Sequence, residues 1–171
     1  LVCYYERTIK EADNLPLKDI LQYRMEENYK ISKEQHGDDF EVTLEEMKES
    51  FQDGNNIIDE FLKRKNSYFP KKNTEMLGIE VGLNYNLPNN LNFVGYMDVV
   101  LHNKVTGRVK IIDIKTATMG WNKYMKADKN KTNQLLLYKQ FFSKEREIPI
   151  DKIDIEYLIL KRRLYENMDF P

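Results

Sequence analysis

Four side chains in the middle of the chain, Glu80, Asp98, Asp113 and Lys115, have types and spacing that could do chemistry. Asp98 closes the run GYMD, and Asp113 and Lys115 stand two apart in RVKIIDIKTAT. The short turn around residues 103–107 predicts a hairpin that brings the two aspartates together. Like charges that close repel unless a cation or a proton lies between them. A hard divalent metal resolves the repulsion, since Mg²⁺ favours oxygen ligands and typically binds through one or two carboxylates plus water. Glu80, on the preceding strand, is an additional candidate ligand. Lys115, on the strand face of Asp113, would set an ammonium beside activated water or a phosphate oxygen, and the set points to metal-assisted phosphodiester hydrolysis. The same spacing also fits an exposed ion pair worth well under about 1 kcal/mol, and Asp98 alone fits an exposed strand-end carboxylate. The neighbours Ile111, Ile112 and Ile114 weigh toward a central strand, where a surface pair is less expected.

The elements that must position these groups can be read from periodicity. Leu17, Ile20, Leu21, Met25 and Tyr29 recur at helical spacing after Pro16, which predicts an amphipathic helix over 17–35. After the polar break HGDD, Thr43 and Glu46 form a capping-box pattern, which predicts a second helical region over 43–66 with a bend near Gly54. From residue 76 the period changes to that of strands: MLGIEVGLNY, a turn at LPNNLN, FVGYMDVVL, a turn at NKVTG, then RVKIIDIKTA. In the third strand Val109, Ile111, Asp113 and Lys115 share one face and Lys110, Ile112 and Ile114 the other. NQLLLYKQFFSKE returns to helical spacing and IDIEYLILKR is a last strand. A helix between strands can cross over the sheet, whereas short turns join antiparallel neighbours, so the order predicts a mixed α/β sheet.

The 171 residues fit one domain, read here as a helical region over 1–66 and a core over 76–162. With hydrophobic residues at 41% and aromatics at 12%, the chain is too apolar for a disordered one, and no stretch reaches the roughly 20 apolar residues that span a bilayer. A single cysteine, Cys3, excludes an intrachain disulfide and fits a reducing, cytoplasmic location. The start at Leu1 and the stop at Asp-Phe-Pro predict a fragment of a longer protein, with further domains or partner subunits outside it. The net charge of −1 hides an asymmetry: residues 1–62 carry 7 Lys/Arg against 16 Asp/Glu, and residues 104–146 carry 11 against 3. The second segment could face a polyanion, although a basic stretch is also an ordinary solvated face.

Four pieces in order, Glu80 in GIEVGL, Gly95-Tyr96-Met97-Asp98, Asp113-Ile114-Lys115-Thr116 and Gln134-Leu135-Leu136-Leu137-Tyr138, resemble the RecB-type branch of the PD-(D/E)xK nuclease superfamily, with its GxxD, (D/E)xK and QxxxY motifs. The resemblance covers about residues 76–160 and implies an αβββαβ, restriction-endonuclease-like core behind an N-terminal helical region. It implies Asp98 and Asp113 as metal ligands, with the Ile114 carbonyl a third. It gives Lys115 the role of orienting or activating water and stabilising charge on the phosphate. Gln134 and Tyr138, on one helix face, are implied to look toward the site and DNA. Mg²⁺ or Mn²⁺ is the implied cofactor. An iron–sulfur cluster is not expected, since Cys3 alone cannot hold one. Many members use a further histidine ligand. Here only His36 and His102 exist, both in contexts that predict exposure, so Glu80 is the substitute candidate. The stretch CYYER resembles the tail of the segment that leads into the helices of such nucleases.

Lys123, Lys126, Lys129 and Lys131, with Trp121 and Tyr124, offer charges for phosphates and rings for stacking, although Trp121 equally fits a packing anchor. Together these features predict a metal-dependent DNA nuclease, acting on ends or single strands in replication, recombination or repair. A nuclease-fold module that grips DNA without cutting it, and an RNA-directed endonuclease of the same superfamily, are the alternatives.

Overall fold

A computed structural model describes residue 5 and residues 14–118, 120–126 and 128–162. Cys3, most of the CYYER stretch and the C-terminal Asp-Phe-Pro lie outside the described residues. The chain runs α1 (Leu17–His36), α2 (Leu44–Tyr68), β1 (Thr74–Leu87), β2 (Leu91–Asn103), β3 (Val109–Ala117), a short α3 (Lys123–Lys126), α4 (Lys129–Arg146) and β4 (Ile153–Lys161). The strands form one sheet in the order β1-β2-β3-β4. β1, β2 and β3 pair antiparallel through short turns, and β4 pairs parallel to β3 after the α4 crossover. This is the mixed α/β sheet expected from the order of periods, and it is consistent with a restriction-endonuclease-like fold.

Local chemistry sets the boundaries. Thr43 accepts from Glu46 N, and Glu46 returns a carboxylate to Thr43 N at 2.8 Å, so the capping box starts α2. In the β1–β2 turn Asn89 and Asn90 take positive φ, which asparagine tolerates better than most residues. In the β2–β3 turn Asn103 Oδ1 accepts from Val105 N and Thr106 N, both at 3.0 Å, and Gly107 takes the left-handed φ of 66°. Asp128 caps α4 by accepting from Asn130 N. α2 runs through Gly54 without a break to Tyr68. Gly54 instead serves the α1–α2 crossing, since a Cβ there would lie 2.6 Å from Leu21 Cδ2.

Around β3 the sheet is covered on both faces, whereas Val94 and Tyr96 on the far part of β2 are exposed. Against α4 lies a core of Leu83, Met97, Val100, Val109, Ile111 and Ile153 with Leu135, Tyr138, Phe141 and Phe142 of the helix. Against the end of α2 lies a second core of Val99, Leu101, Ile112 and Leu158 with Phe69, joined by Phe61, Ile114 and Leu160. Full coverage explains why β3 reads as a nearly continuous apolar run. Arg162, just past β4, ties the sheet to α2 through Asp53 at 2.6 Å and Glu49 at 3.5 Å. α1 buries no residue. No described helix is long and apolar enough to cross a membrane.

Candidate active site

The site is built where the sheet forks. The β2–β3 ladder lasts only from Val99–Ile112 to His102–Val109. One step further, Asp98 and Asp113 would be the next pair, but there the strands separate: β2 continues with β1 to the Leu87–Leu91 turn, and β3 continues with β4 to Ala117. A strand that loses its neighbour leaves backbone donors to be satisfied. Asp98 answers that need, since its Oδ2 accepts from Ile114 N at 2.6 Å. The expected hairpin juxtaposition of the two aspartates is therefore real, with Asp98 bonded to the peptide that follows Asp113.

β2 also changes face at Asp98. Met97 belongs to the α4-side core and Val99 to the α2-side core, whereas residues two apart in a regular strand share a face. Opposite, by the register of Ile79–Val99 and Val81–Met97, stands Glu80, whose φ is 48°. Both strands thus break alternation at one level. Glu80 is exposed, and among the described residues no three His, Cys, Asp or Glu side chains gather as a metal cluster. Glu80 thus faces Asp98 in register without joining the two aspartates in a three-carboxylate set.

Asp113 is 2% exposed. Its Oδ1 accepts from Gln134 Nε2 at 3.3 Å, and the same Gln134 amide donates to the Tyr138 hydroxyl at 3.0 Å. Lys115 Nζ stands 2.8 Å from Oδ2 and pairs with this buried oxygen. Burial pushes the Asp113 carboxyl above the usual range; the Lys115 ammonium pulls it down and the Asp98 charge pushes it up. Lys115 is 38% exposed, so its ammonium borders solvent.

Gln134 and Tyr138 lie on the sheet-facing side of α4, but they point at Asp113 and the core. Tyr138 is buried among core residues with Phe93 edge-on at 6.4 Å between centroids. Its approach requires Gly95: a Cβ there would stand 2.6 Å from Tyr138 Cε1. The glycine of GxxD and the tyrosine of QxxxY are thus two sides of one contact. Trp121 packs on Tyr157, with ring centroids 4.9 Å apart, and Lys131 Nζ lies 4.9 Å over the Trp121 ring. Lys123 and Lys126 are exposed on α3, and Lys123 Nζ lies over the Tyr124 ring. His36 is exposed at the end of α1. His102, expected at an exposed turn, instead closes β2 half-buried with Nδ1 2.8 Å from Glu75 Oε1. Neither histidine belongs to a described metal cluster.

Sequence reasoning missed Tyr157. It is the β4 register partner of Asp113, on the α4 side of the sheet. Burial, then the charges of Asp113 and Tyr138, push its hydroxyl up to about 12. Its signal was the parallel register, which a single strand's pattern does not carry.

A family model of the PD-(D/E)XK nuclease superfamily matches residues 6–169. The chain belongs to that superfamily. Its members are generally nucleases, so the chain is assigned a nuclease fold with a nucleic acid as substrate. A search of curated proteins finds no match. Nucleases of the superfamily typically use divalent metals such as Mg²⁺. The residues fit such an ion: the donors are oxygens, and the buried Asp113 carboxylate has the Asp98 carboxylate beside it.

Proposed function

We propose that the chain is a divalent-metal-dependent DNA nuclease of RecB-like type, working on ends or single strands in replication, recombination or repair. The observation that carries this reading is Asp113: a carboxylate only 2% exposed, with a second carboxylate beside it and a single, partly exposed ammonium as its charge partner. Lys115 offsets part of the cost of that burial, yet burial still holds the Asp113 carboxyl above the usual range, so a further cation would be favoured there.

Asp98 and Asp113, with the Ile114 carbonyl, would hold Mg²⁺ or Mn²⁺. When bound, the ion supplies Lewis-acid charge at the phosphate and makes a water more acidic. The chain's own groups do the rest. The Ile114 amide fixes the Asp98 carboxyl, and Gln134 and Lys115 fix the two oxygens of Asp113. Lys115 orients the attacking water and stabilises charge that develops on the phosphate. Lys123, Lys126 and Lys131 contribute phosphate contacts whose strength falls with salt. Gln134 and Tyr138 act on the substrate through Asp113.

The test is cleavage of labelled single-stranded DNA, duplex DNA and RNA with Mg²⁺, Mn²⁺ or chelator. Metal-dependent cutting of DNA, lost in Asp113→Asn and Lys115→Ala, is expected. Salt-sensitive DNA binding with no cleavage under any metal would replace this reading with a binding module. Cutting confined to RNA would replace it with an RNA-directed endonuclease.

A further inference from the structure

Trp121 and the first turn of the crossover helix α4 both meet one residue of β4. Tyr157 stands beside Asp113 in the β3–β4 register. Its hydroxyl donates to the Lys131 carbonyl in the first turn of α4. A carbonyl has two lone pairs, so this bond can add to the helix's own. On the other side Trp121 lies against the Tyr157 ring, tilted by 55°, and Lys131 Nζ caps the Trp121 ring. Lys131 is three residues from Gln134, one helical turn away, and Gln134 is the residue bonded to Asp113 Oδ1.

We infer that Tyr157 is a positioning residue of the candidate site. Through the Lys131 carbonyl and the Trp121 ring it locks the lysine-bearing segment and the first turn of α4 against β3, which keeps Gln134 on Asp113 and Lys131 beside the substrate path. The inference rests on the nuclease reading only for the path's occupant; the lock itself is a property of the chain alone. Without the phenol oxygen the first turn of α4 loses this bond to β4, and the lysines it carries are held less firmly beside the sheet.

Trp121 is the only tryptophan of the chain, so its fluorescence reports on the lock directly. Tyr157→Phe keeps the ring and removes the donor. The expected result in metal-free, nucleic-acid-free protein is an emission shift to the red and about twofold greater quenching by acrylamide, with the melting temperature nearly kept. With single-stranded oligonucleotide and Mg²⁺, KM should rise about five- to tenfold and kcat should fall less. Trp121→Phe, which removes the ring from the other side, should show the same KM-dominated loss. Unchanged Trp121 emission in Tyr157→Phe would overturn the inference, and so would a loss in kcat alone. If the unmodified protein neither binds nor cuts nucleic acid, the nuclease reading fails, while the fluorescence measurement still decides the role of Tyr157.

Discussion

The two ends of β3 carry charge in opposite ways. Near its start, Arg108 pairs with Asp154 and Lys110 with Glu156 across the parallel ladder, and all four side chains are more than 40% exposed. Near its finish, Lys115 pairs with Asp113, which is almost completely buried. The first pairs are what a strand facing water carries, since water solvates both partners and little is gained or lost. The last pair lies where β2 has left the ladder and Asp113 has exchanged water for Gln134, Tyr138 and Tyr157. Position relative to the fork, more than residue type, decides which ion pair is solvated and which is buried.

The largest predicted effect breaks the buried end. Asp113→Asn and Lys115→Ala should each lower DNA cleavage by about 10²–10³-fold or more, as expected when a group that meets developing charge is removed. Their stabilities should diverge. Lys115→Ala leaves a buried carboxylate uncompensated and should destabilise by about 1–3 kcal/mol, below the range for a fully buried pair because Lys115 is partly exposed. Asp113→Asn removes the buried charge and should keep or raise stability. Chemical denaturation of both variants, alongside the cleavage assay, checks this. A large loss of stability in Asp113→Asn would mean that the carboxylate holds the fold rather than the reaction.

A second break acts through the contact between motifs. Gly95→Ala puts a methyl where Tyr138 Cε1 stands, 2.6 Å away, in a well-packed core. Overpacking of this kind costs about 1–3 kcal/mol. Because Tyr138 carries Gln134, the variant should also lower activity beyond its loss of folded protein. Gly82→Ala is the control, since its nearest neighbour would be Tyr96 Cε1 at an ordinary 3.6 Å. Equal melting temperatures for the two variants would contradict the assigned role of Gly95.

These residues show how much could be read without coordinates. The strands and the crossover helix were legible because alternation and helical spacing are local properties. The fork was not, because a residue's pattern does not say where its neighbour strand departs. The face change at Asp98 and the positive φ of Glu80 escaped for the same reason: MLGIEVGLNY alternates on paper while the strand does not. Gln134 and Tyr138 were placed on one helix face by spacing alone, but spacing could not tell a face that meets Asp113 from one that meets substrate. Tyr157 became visible only through its parallel partner.

The two ends of β3 should also titrate with opposite sign. Asp154 is held below the usual carboxylate range by the Arg108 guanidinium, so its contribution is present above the unfolded value and is lost as pH falls through the lowered one. Asp113 is raised by burial, so in metal-free protein its ionisation penalises the fold, and stability falls as pH rises from the unfolded value through the raised one. Subtracting the pH–stability curve of Asp113→Asn from that of the unmodified protein should therefore leave a decline with rising pH. The subtraction for Asp154→Asn should leave a rise. Adding Mg²⁺ should flatten the Asp113 decline, because an ion bound to the carboxylate favours the charged form. Parallel curves for the two variants would remove the distinction between the ends.

The smallest predicted effect tests the exposed end by itself. Glu156→Ala removes the partner of Lys110 across the β3–β4 ladder, a pair with both side chains near half exposure. It should cost less than about 1 kcal/mol, less still in high salt, and leave cleavage unchanged. The informative comparison is with Lys115→Ala, which cuts an ion pair of the same 2.8 Å length on the same strand. Equal length with unequal consequence would show that the N···O distance carries little of the energy, and that it resides in the water each carboxylate has given up. If Glu156→Ala were as costly as Lys115→Ala, the strand would be stapled by its ion pairs throughout, and burial of Asp113 would no longer single it out.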